Sequence, residues 1–336
     1  MALRFALIGL DHRHVYELTA HLIEAGMACA GYWPVTTNAG VLDGFRKRFP
    51  DLPAIADRER LLDDPTIQVI VTAAIPCDRA ALAIEAMRRC KDVMADKPGI
   101  TNRADLAAVQ QVVGETGRIF SVCFGERFQS PASALARQLV RDGAIGRLVQ
   151  TTTLGPHRLN RATRPEWFWN PKRNGSILVD IGCHQIDQFL HITDRPDAEI
   201  VHAAIRSVAP ERTPVADFQD FGEMILRNDV ASGYVRMDWF TPDGLADWGD
   251  GRAFIIGTEG SIELRKNLDL VGRPGGQHLF LVTKAKTEYI SCAGRPLSHF
   301  RAFANDVRER TETAMTQAHC FTVCRLALEA EERALA

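Results

Sequence analysis

The sequence has no CxxC pair, no internal repeat, no low-complexity segment and no surplus of basic residues. It also lacks any apolar run near the ~20 residues that a membrane helix needs. Each absence closes off a class of function. The eight cysteines (Cys29, Cys77, Cys90, Cys123, Cys183, Cys292, Cys320 and Cys324) are scattered. Most sit in apolar runs, where free cysteine behaves as a small hydrophobe, and a reducing cytoplasm is the simplest setting. Forty Lys and Arg against 42 Asp and Glu give a net charge of -2, without the excess that nucleic-acid binding uses. The opening stretch MALRFALIGLDHRH has an apolar run too short for a secretory signal and is broken by Arg4. What remains is a globular balance, 46% apolar and 24% charged over 336 residues, enough for two domains at ~150 residues each.

The first third alternates short apolar runs with amphipathic stretches. Strands are expected at Arg4–Leu10, Met27–Trp33, Ile67–Ala74, Asp92–Ala95 and Ile119–Phe124, with helices at Val15–Ala25, Asn38–Phe49, Ala80–Cys90 and Arg103–Glu115. Such alternation implies a parallel sheet with helices on both faces and right-handed crossovers. After Phe124 the pattern changes. A helix at Pro131–Asp142 and a strand at Leu148–Leu154 precede a long polar and aromatic loop, then a helix from about Gly175 to Ile192. Six strands follow without helices between them: Glu199–Val208, Phe218–Arg227, Ala231–Trp239, Ala253–Ile256, Ser261–Arg265 and His278–Lys284. Asn228-Asp229 and Gly257-Thr-Glu-Gly260 mark hairpins. The tail from Ser298 to Leu335 reads as helical. The expected class is α/β, with a Rossmann-like doubly wound parallel sheet over 1–124. An α+β domain with an open, mostly antiparallel sheet follows over 125–336.

Three segments carry chemistry. In ALIGLDHRHVYEL (6–18) a strand-turn-helix has the outline of a dinucleotide site, yet G-x-G-x-x-G reads G-x-D-x-x-H. Only Gly9 is in place, with Asp11 and His14 where glycines belong. Asp96-Lys97-Pro98 closes a short buried strand, at the sheet edge where doubly wound folds bind ligands. Pro98 pushes Lys97 toward extended backbone, and a plain surface lysine is the competing view. In NGSILVDIGCHQIDQFLHI (174–192), Asp180 and His184 are four apart and share a helix face; Asp187 and His191 can flank it. A carboxylate one turn from an imidazole can fix its tautomer and raise its basicity, as a general base requires. A helix of satisfied polar residues is the alternative. Gly175 and Gly182 favour function, because glycine weakens a helix by ~1 kcal/mol and marks close approach of a backbone or ligand. The connection PHRLNRATRPEWFWNPKR (156–173) adds Arg158, Arg161, Arg164, Trp167 and Trp169. Indoles stack on sugar faces and the basic groups suit hydroxyls or a carboxylate; packing of the tryptophans at a dimer interface is the other option.

Together with GERFQSPASALARQLVRDGAIGRL (125–148), these segments resemble the glucose-fructose oxidoreductase / inositol dehydrogenase (Gfo/Idh/MocA) family over almost the whole chain. CKDVMADKPGIT resembles the family's G-K-H-V-x-x-E-K-P, with Cys90 for the glycine and Asp96 for the glutamate. RFQSPASALARQLVRDGAIGRL resembles its R-x-x-P…G-x-I-G-x segment, GSILVDIGCHQID its G-x-L-x-D-x-G-x-H-x-x-D, and IIGTEGSIEL its G-T-x-G hairpin. The resemblance implies an NAD- or NADP-dependent oxidoreductase acting on a secondary alcohol of a sugar, polyol, glycoside or sugar acid. It implies catalysis by Lys97, Asp180 and His184. The cofactor side takes Gly9, Asp11, His12, Arg13, His14, Trp33, Thr36, Ala74, Pro76, Asp96 and Lys97. The substrate side takes Arg127, His157, Arg158, Trp167 and Trp169 with Asp180 and His184. No metal, nucleic acid or membrane is expected, and a cytoplasmic homo-oligomer (dimer or tetramer) through the C-terminal sheet is. A lyase or hydrolase that retains NAD for transient oxidation, and a non-catalytic sensor with a degenerate cofactor site, are the alternatives.

Two departures shape the cofactor expectation. Asp11 brings a side chain and a negative charge where backbone should approach a pyrophosphate, although the helix N-terminus still offers N–H groups. One option is that His12, Arg13 and His14 offset its charge, Arg13 best because it is always charged; the favoured alternative is that Asp11 turns away and caps the helix, and metal binding by Asp11, His12 and His14 is least favoured. On this view Asp11→Gly leaves dinucleotide affinity unchanged or raises it. The second strand ends in CAGYWPVTTN without the acidic residue that binds the NAD ribose. Trp33 stands there instead, so the sequence does not choose between NAD and NADP.

Overall fold

The computed structural model describes residues 2–336, and the chain divides into two compact units. The first comprises the chain up to Cys123 with Pro165–Gly175 and Ser298–Cys324; the second comprises Phe124–Arg164, Ser176–Leu297 and Arg325–Ala336. The first break falls at Cys123/Phe124, and two later segments return to the first unit. Among the described residues no helix is long and apolar enough to cross a membrane.

In chain order the elements are β1 (Arg4–Leu10), α1 (Val15–Glu24), β2 (Ala28–Tyr32), α2 (Ala39–Arg48), α3 (Glu59–Asp63), β3 (Val69–Ala73), α4 (Pro76–Arg88), β4 (Asp92–Asp96), α5 (Arg103–Thr116) and β5 (Phe120–Cys123). Then come α6 (Gly125–Phe128), α7 (Pro131–Arg141), β6 (Leu148–Pro156), α8 (Pro171–Asn174), α9 (Ile177–Asp180), α10 (Gly182–Thr193), β7 (Glu199–Arg206), β8 (Phe221–Arg227), β9 (Ser232–Asp238), β10 (Arg252–Gly257), β11 (Gly260–Arg265), β12 (His278–Thr283), β13 (Thr287–Ser291), α11 (His299–Glu309) and α12 (Gln317–Leu335).

The first unit contains a five-stranded sheet in the order β2-β1-β3-β4-β5, parallel throughout. Its strands read as continuous apolar runs because both faces are covered; Phe5, Leu7, Val69, Ile70, Val71, Val93 and Met94 are fully buried. Each such side chain contributes ~1.5–3 kcal/mol on burial. The helix ends follow local chemistry. Asn38 and Asn102 cap α2 and α5 through N–H groups of Val41 and Asp105, and Gly117 closes α5 in the left-handed region. The order reverses between β1 and β3, which makes the ends of those strands the ligand-binding crevice of such a sheet.

The second unit contains an eight-stranded sheet in the order β13-β12-β11-β10-β6-β9-β8-β7. Only β6 and β9 run parallel; every other pair is antiparallel. Its strands alternate buried and part-exposed residues, as in GEMILR of β8, so one face packs and the other is open. Part of α7 joins Leu148, Ile255, Ile262, Leu264, Leu279 and Leu281 in one core.

Three expectations change. The helix expected over 175–192 is two pieces, because Ile181 separates α9 from α10. The helical tail breaks at Arg310, which has φ of 56°. Strand β13 is new: its TEYIS alternation is short and half-polar, and it gains definition only by pairing with β12.

Candidate active site

In the first unit, Gly9 has φ of +82°, and a Cβ there would lie 2.5 Å from Ala74 Cβ. This glycine is required by backbone and by space. The N–H groups of Asp11 and His12 both donate to Ala73 O, at 3.1 and 2.9 Å. The amides of Arg13 and His14 have no acceptor among the described residues, at the N-terminus of the ten-residue α1. That pair, with the positive end of the helix dipole, is what an anion finds.

Asp11 is not the cap of α1. The helix has His14 as N-cap with no side-chain hydrogen bond. Instead Asp11 Oδ1 accepts from Thr36 Oγ1 (2.8 Å), Thr37 N (2.6 Å) and Thr37 Oγ1 (2.8 Å), while Asn38 Nδ2 donates to Asp11 O. The expected cap fails because three donors on the loop after β2 converge on the carboxylate. Thr36 shares its one proton with Leu10 O, 2.9 Å away. Its hydroxyl therefore braces the turn. Trp33, part-exposed at the end of β2, has the Arg58 guanidinium 5.9 Å from its ring.

Histidines 12 and 14 turn to Asp96, at the end of β4. Their Nδ1 atoms lie 3.0 and 2.9 Å from Oδ2 and Oδ1, and their rings meet edge-on at 4.1 Å. Against an ionised carboxylate each Nδ1 must carry the proton. Burial, followed by the neighbouring His14, lowers the His12 pKa to about 3, so His12 brings no positive charge to the turn at neutral pH. This corrects the expectation that it offsets an anion; exposed Arg13 remains to do so. Any cation cluster would involve His12, His14 and Asp96, rather than Asp11. Arg79 already places a fixed charge on Asp96 (Nη2 to Oδ2, 3.1 Å).

Arg79 is one residue that sequence reasoning missed. It is 1% exposed on α4, and Nη1 donates to the carbonyls of Asp96 (2.9 Å), Lys97 (2.5 Å) and Pro98 (2.9 Å). Its Nε donates to Ala74 O at 2.7 Å. Burial alone would raise the Asp96 pKa, but the charges of His14 and Arg79 and the imidazole hydrogen bonds hold it well below the carboxylate range. A signal existed: Arg79 lies on the buried stripe of α4 with Ala83, Ala86 and Met87, where an arginine is out of place without a partner. Lys97, 5% exposed, follows Asp96 through a cis peptide to Pro98. Ala74 and Pro76, also buried, join β3 to α4.

Trp167 and Trp169, expected on the substrate side, are 3% and 9% exposed within the first unit. That burial argues against an interface role. The Trp167 ring lies 6.4 Å from His12, and its Nε1 is buried with no acceptor among the described residues.

In the second unit, Ser176 caps α9 through Val179 N, and Asp180 and His184 follow at 6% and 4% exposure. The two glycines of this motif have structural causes. Gly175 has φ of +85°, and at Gly182 a Cβ would meet Met224 and Met237 of the sheet at 3.0 and 3.2 Å. Asp187, fully buried, takes both Nε and Nη2 of Arg127 at 2.6 Å. Arg127 also lies 4.1 Å from the Phe128 ring, so its fork holds α6 to α10. His157 donates Nδ1–H to Gly155 O (3.1 Å) and packs between Trp239 and Trp248. Arg158 binds the carbonyls of Pro242 and Leu245. Glu126 and Lys266, a buried pair at 3.0 Å, were missed; they lie 140 residues apart, and no local pattern joins them.

Models of known families match both parts of the chain. An oxidoreductase family with an NAD-binding Rossmann fold matches 35–124, and the GFO/IDH/MocA C-terminal domain matches 133–263. Levoglucosan dehydrogenase of Pseudarthrobacter phenanthrenivorans is 28% identical over 169 residues, 49% of this chain and 43% of that protein. The NAD(+)-dependent scyllo-inositol 2-dehydrogenase of Bacillus subtilis is 28% identical over 207 residues, 61% of this chain and 57% of that protein. The chain thus spans about half the length of the curated relatives it matches. A crystal structure from Erwinia carotovora atroseptica is 42% identical, covers 99% of this chain and 98% of its own, and superposes with a TM-score of 0.93. Levoglucosan dehydrogenase in complex with NADH shares the fold at 20% identity, with a TM-score of 0.79 over 100% of this chain and 97% of that one.

Proposed function

We propose, for a chain that belongs to the Gfo/Idh/MocA oxidoreductase family, an NAD- or NADP-dependent oxidation of a secondary alcohol in a sugar, polyol, glycoside or sugar acid. The relatives named as levoglucosan and inositol dehydrogenases support that substrate range. The observation that carries the reading is the turn after β1. It sits at the β1/β3 reversal of a parallel sheet, with two unclaimed amides at a helix N-terminus. The residues present fit a dinucleotide: the Arg13 and His14 amides and the Arg13 side chain would hold the pyrophosphate, and Trp33 would flank the adenosine. The bare Trp167 Nε1 offers a further donor. When bound, the nicotinamide takes up or returns the hydride.

The chain's own groups handle the proton and the charge. Lys97 donates a hydrogen bond to the substrate oxygen, which strengthens as negative charge develops there. His184 removes the hydroxyl proton, and Asp180 steadies the imidazolium that results. Lys97→Ala and His184→Ala should each lower turnover by at least ~100-fold, while dinucleotide binding survives in the His184 variant. Near-wild-type turnover in either variant removes that residue from the scheme. The reading includes a homo-oligomer through the second sheet, which leaves Val149, Ile256, Val282 and Tyr289 exposed. A monomeric mass by light scattering would sink that part.

A further inference from the structure

Glu126 is 9% exposed at its side chain, with one oxygen crowded and the other bare. Oε2 accepts from Lys266 Nζ (3.0 Å), Gln185 Nε2 (2.8 Å) and Gln188 Nε2 (3.3 Å). Oε1 is buried and has no donor among the described residues. Lys266 does not turn to it, because a second proton of that ammonium goes to Gln188 Oε1 at 2.6 Å. Gln185 and Gln188 follow His184 on α10, and Gln188 Nε2 also lies 3.1 Å from His184 O. The bare oxygen thus belongs to the same cluster as the proposed base.

Burial alone would raise the Glu126 pKa, but Lys266, His184 and His157 together push it well below the usual range. The carboxylate is therefore charged at neutral pH. A buried anionic oxygen with no donor is unfavourable, and native structures keep such atoms where a ligand, ion or water completes them. Three donors on Oε2 fix the rotation of the carboxylate, so Oε1 offers an acceptor of set direction. What suits it is a neutral O–H donor. A substrate carboxylate has no proton to give at neutral pH and would meet like charge. Lys266, the permanently charged cation of the cluster, is already matched by Glu126.

We propose that Glu126 Oε1 receives a substrate hydroxyl and restricts this enzyme to neutral polyhydroxy compounds over sugar acids. This rests on the oxidation reading above and narrows its substrate range. Glu126 is a specificity residue here; the chemical step remains with Lys97 and His184.

The test compares matched pairs, D-glucose with D-gluconate and D-galactose with D-galactonate, together with myo-inositol. Formation of NADH or NADPH is followed with wild type, Glu126→Gln, and Glu126→Gln/Lys266→Met. The double variant guards against misfolding, because it leaves no unpaired charge. Wild type should favour the neutral members by ~10-fold or more in kcat/KM, and both variants should narrow that ratio by ~10-fold, mainly through KM. A wild-type preference for the acids overturns the proposal. So does a ratio that shifts less than ~2-fold in a folded variant with intact dinucleotide affinity, the result expected if only water sits on Oε1. If wild type binds dinucleotide but oxidises nothing in the panel, the oxidation reading fails separately. Calorimetric binding of the same pairs to dinucleotide-loaded protein then decides recognition, and neutral members binding no tighter than the acids overturn it.

Discussion

Replacing Asp11 with glycine restores the sequence fingerprint, and from sequence that change is expected to be neutral or helpful to cofactor binding. The contacts of Asp11 lead to the opposite prediction. Asp11 is 7% exposed, and its Oδ1 holds three donors from Thr36 and Thr37. Hydrogen bonds to a charged acceptor are worth ~1.5–3 kcal/mol each when fully buried. Thr36 is only part-buried and Thr37 is exposed, so most of their donors regain water in the variant. A total of ~2 kcal/mol is therefore the appropriate scale, to which the freer glycine backbone adds ~0.5–1 kcal/mol. At ~2–4 °C per kcal/mol, Asp11→Gly should melt ~5–10 °C below wild type. Dinucleotide affinity should fall by roughly threefold to tenfold, because the loop after β2 loses its tether and must be ordered on binding. Scanning calorimetry with and without NAD or NADP measures both quantities. Asp11→Asn, which keeps an acceptor oxygen, should recover more than half of the stability. An Asp11→Gly protein that melts within ~1 °C of wild type and binds dinucleotide more tightly would refute the reasoning.

Other expectations follow from the same cluster. Arg79→Met should destabilise by ~3–5 kcal/mol in urea titration, since it strands the buried Asp96 charge; Arg79→Lys should rescue little, because a point charge cannot serve four carbonyls and a carboxylate. His12 has a pKa of about 3 when folded against 6.5 when free. The unfolded chain therefore binds the extra proton between those values, and stability falls as pH drops below 6.5, by up to ~1.4 kcal/mol per pH unit. His12→Asn should flatten that slope between pH ~6.5 and ~4.5, above the range where Asp96 begins to contribute with the same sign; an unaltered slope speaks against a neutral buried His12. Trp167→Phe should leave the melting temperature unchanged or raise it, because an unpaired buried N–H is removed, while dinucleotide or substrate affinity drops; a lowered melting temperature with unchanged affinity would assign the indole to packing alone.

How much of this was legible in the sequence depends on how far apart the cooperating residues lie. The parallel sheet was legible because continuous buried strands alternate with helices, and each signal falls within a dozen residues. Strand β13 was not, since its TEYIS pattern becomes a strand only against β12. Asp96-Lys97 and Asp180–His184 could be picked out as local motifs. Arg79 left a readable trace, a charge on an apolar helical stripe, but its partners beyond Ala74 lie 17 to 19 residues away. The Glu126–Lys266 pair spans 140 residues and left none.

The opening turn shows why a fingerprint can change without its geometry being lost. Its glycines answer two different demands. At Gly9 the backbone has φ of +82° and a Cβ would collide with Ala74 at 2.5 Å, so neither conformation nor space permits a side chain. Asp11 is not among the positive-φ residues, and only the room in front of the phosphates was ever at issue. A side chain is tolerable there provided it is drawn elsewhere, and Thr36 and Thr37 supply the pull. The carboxylate that looks hostile to a pyrophosphate thus becomes the brace between the turn and the loop after β2. His14 solves the third position in the same way, turned toward Asp96. It follows that Asp11 and the two threonines should act as one unit. In a double-mutant cycle, Asp11→Ala combined with Thr37→Val should cost less than the sum of the single changes, by ~0.5–1.5 kcal/mol. Strict additivity would mean that the Thr37 hydroxyl does not hold the carboxylate in solution.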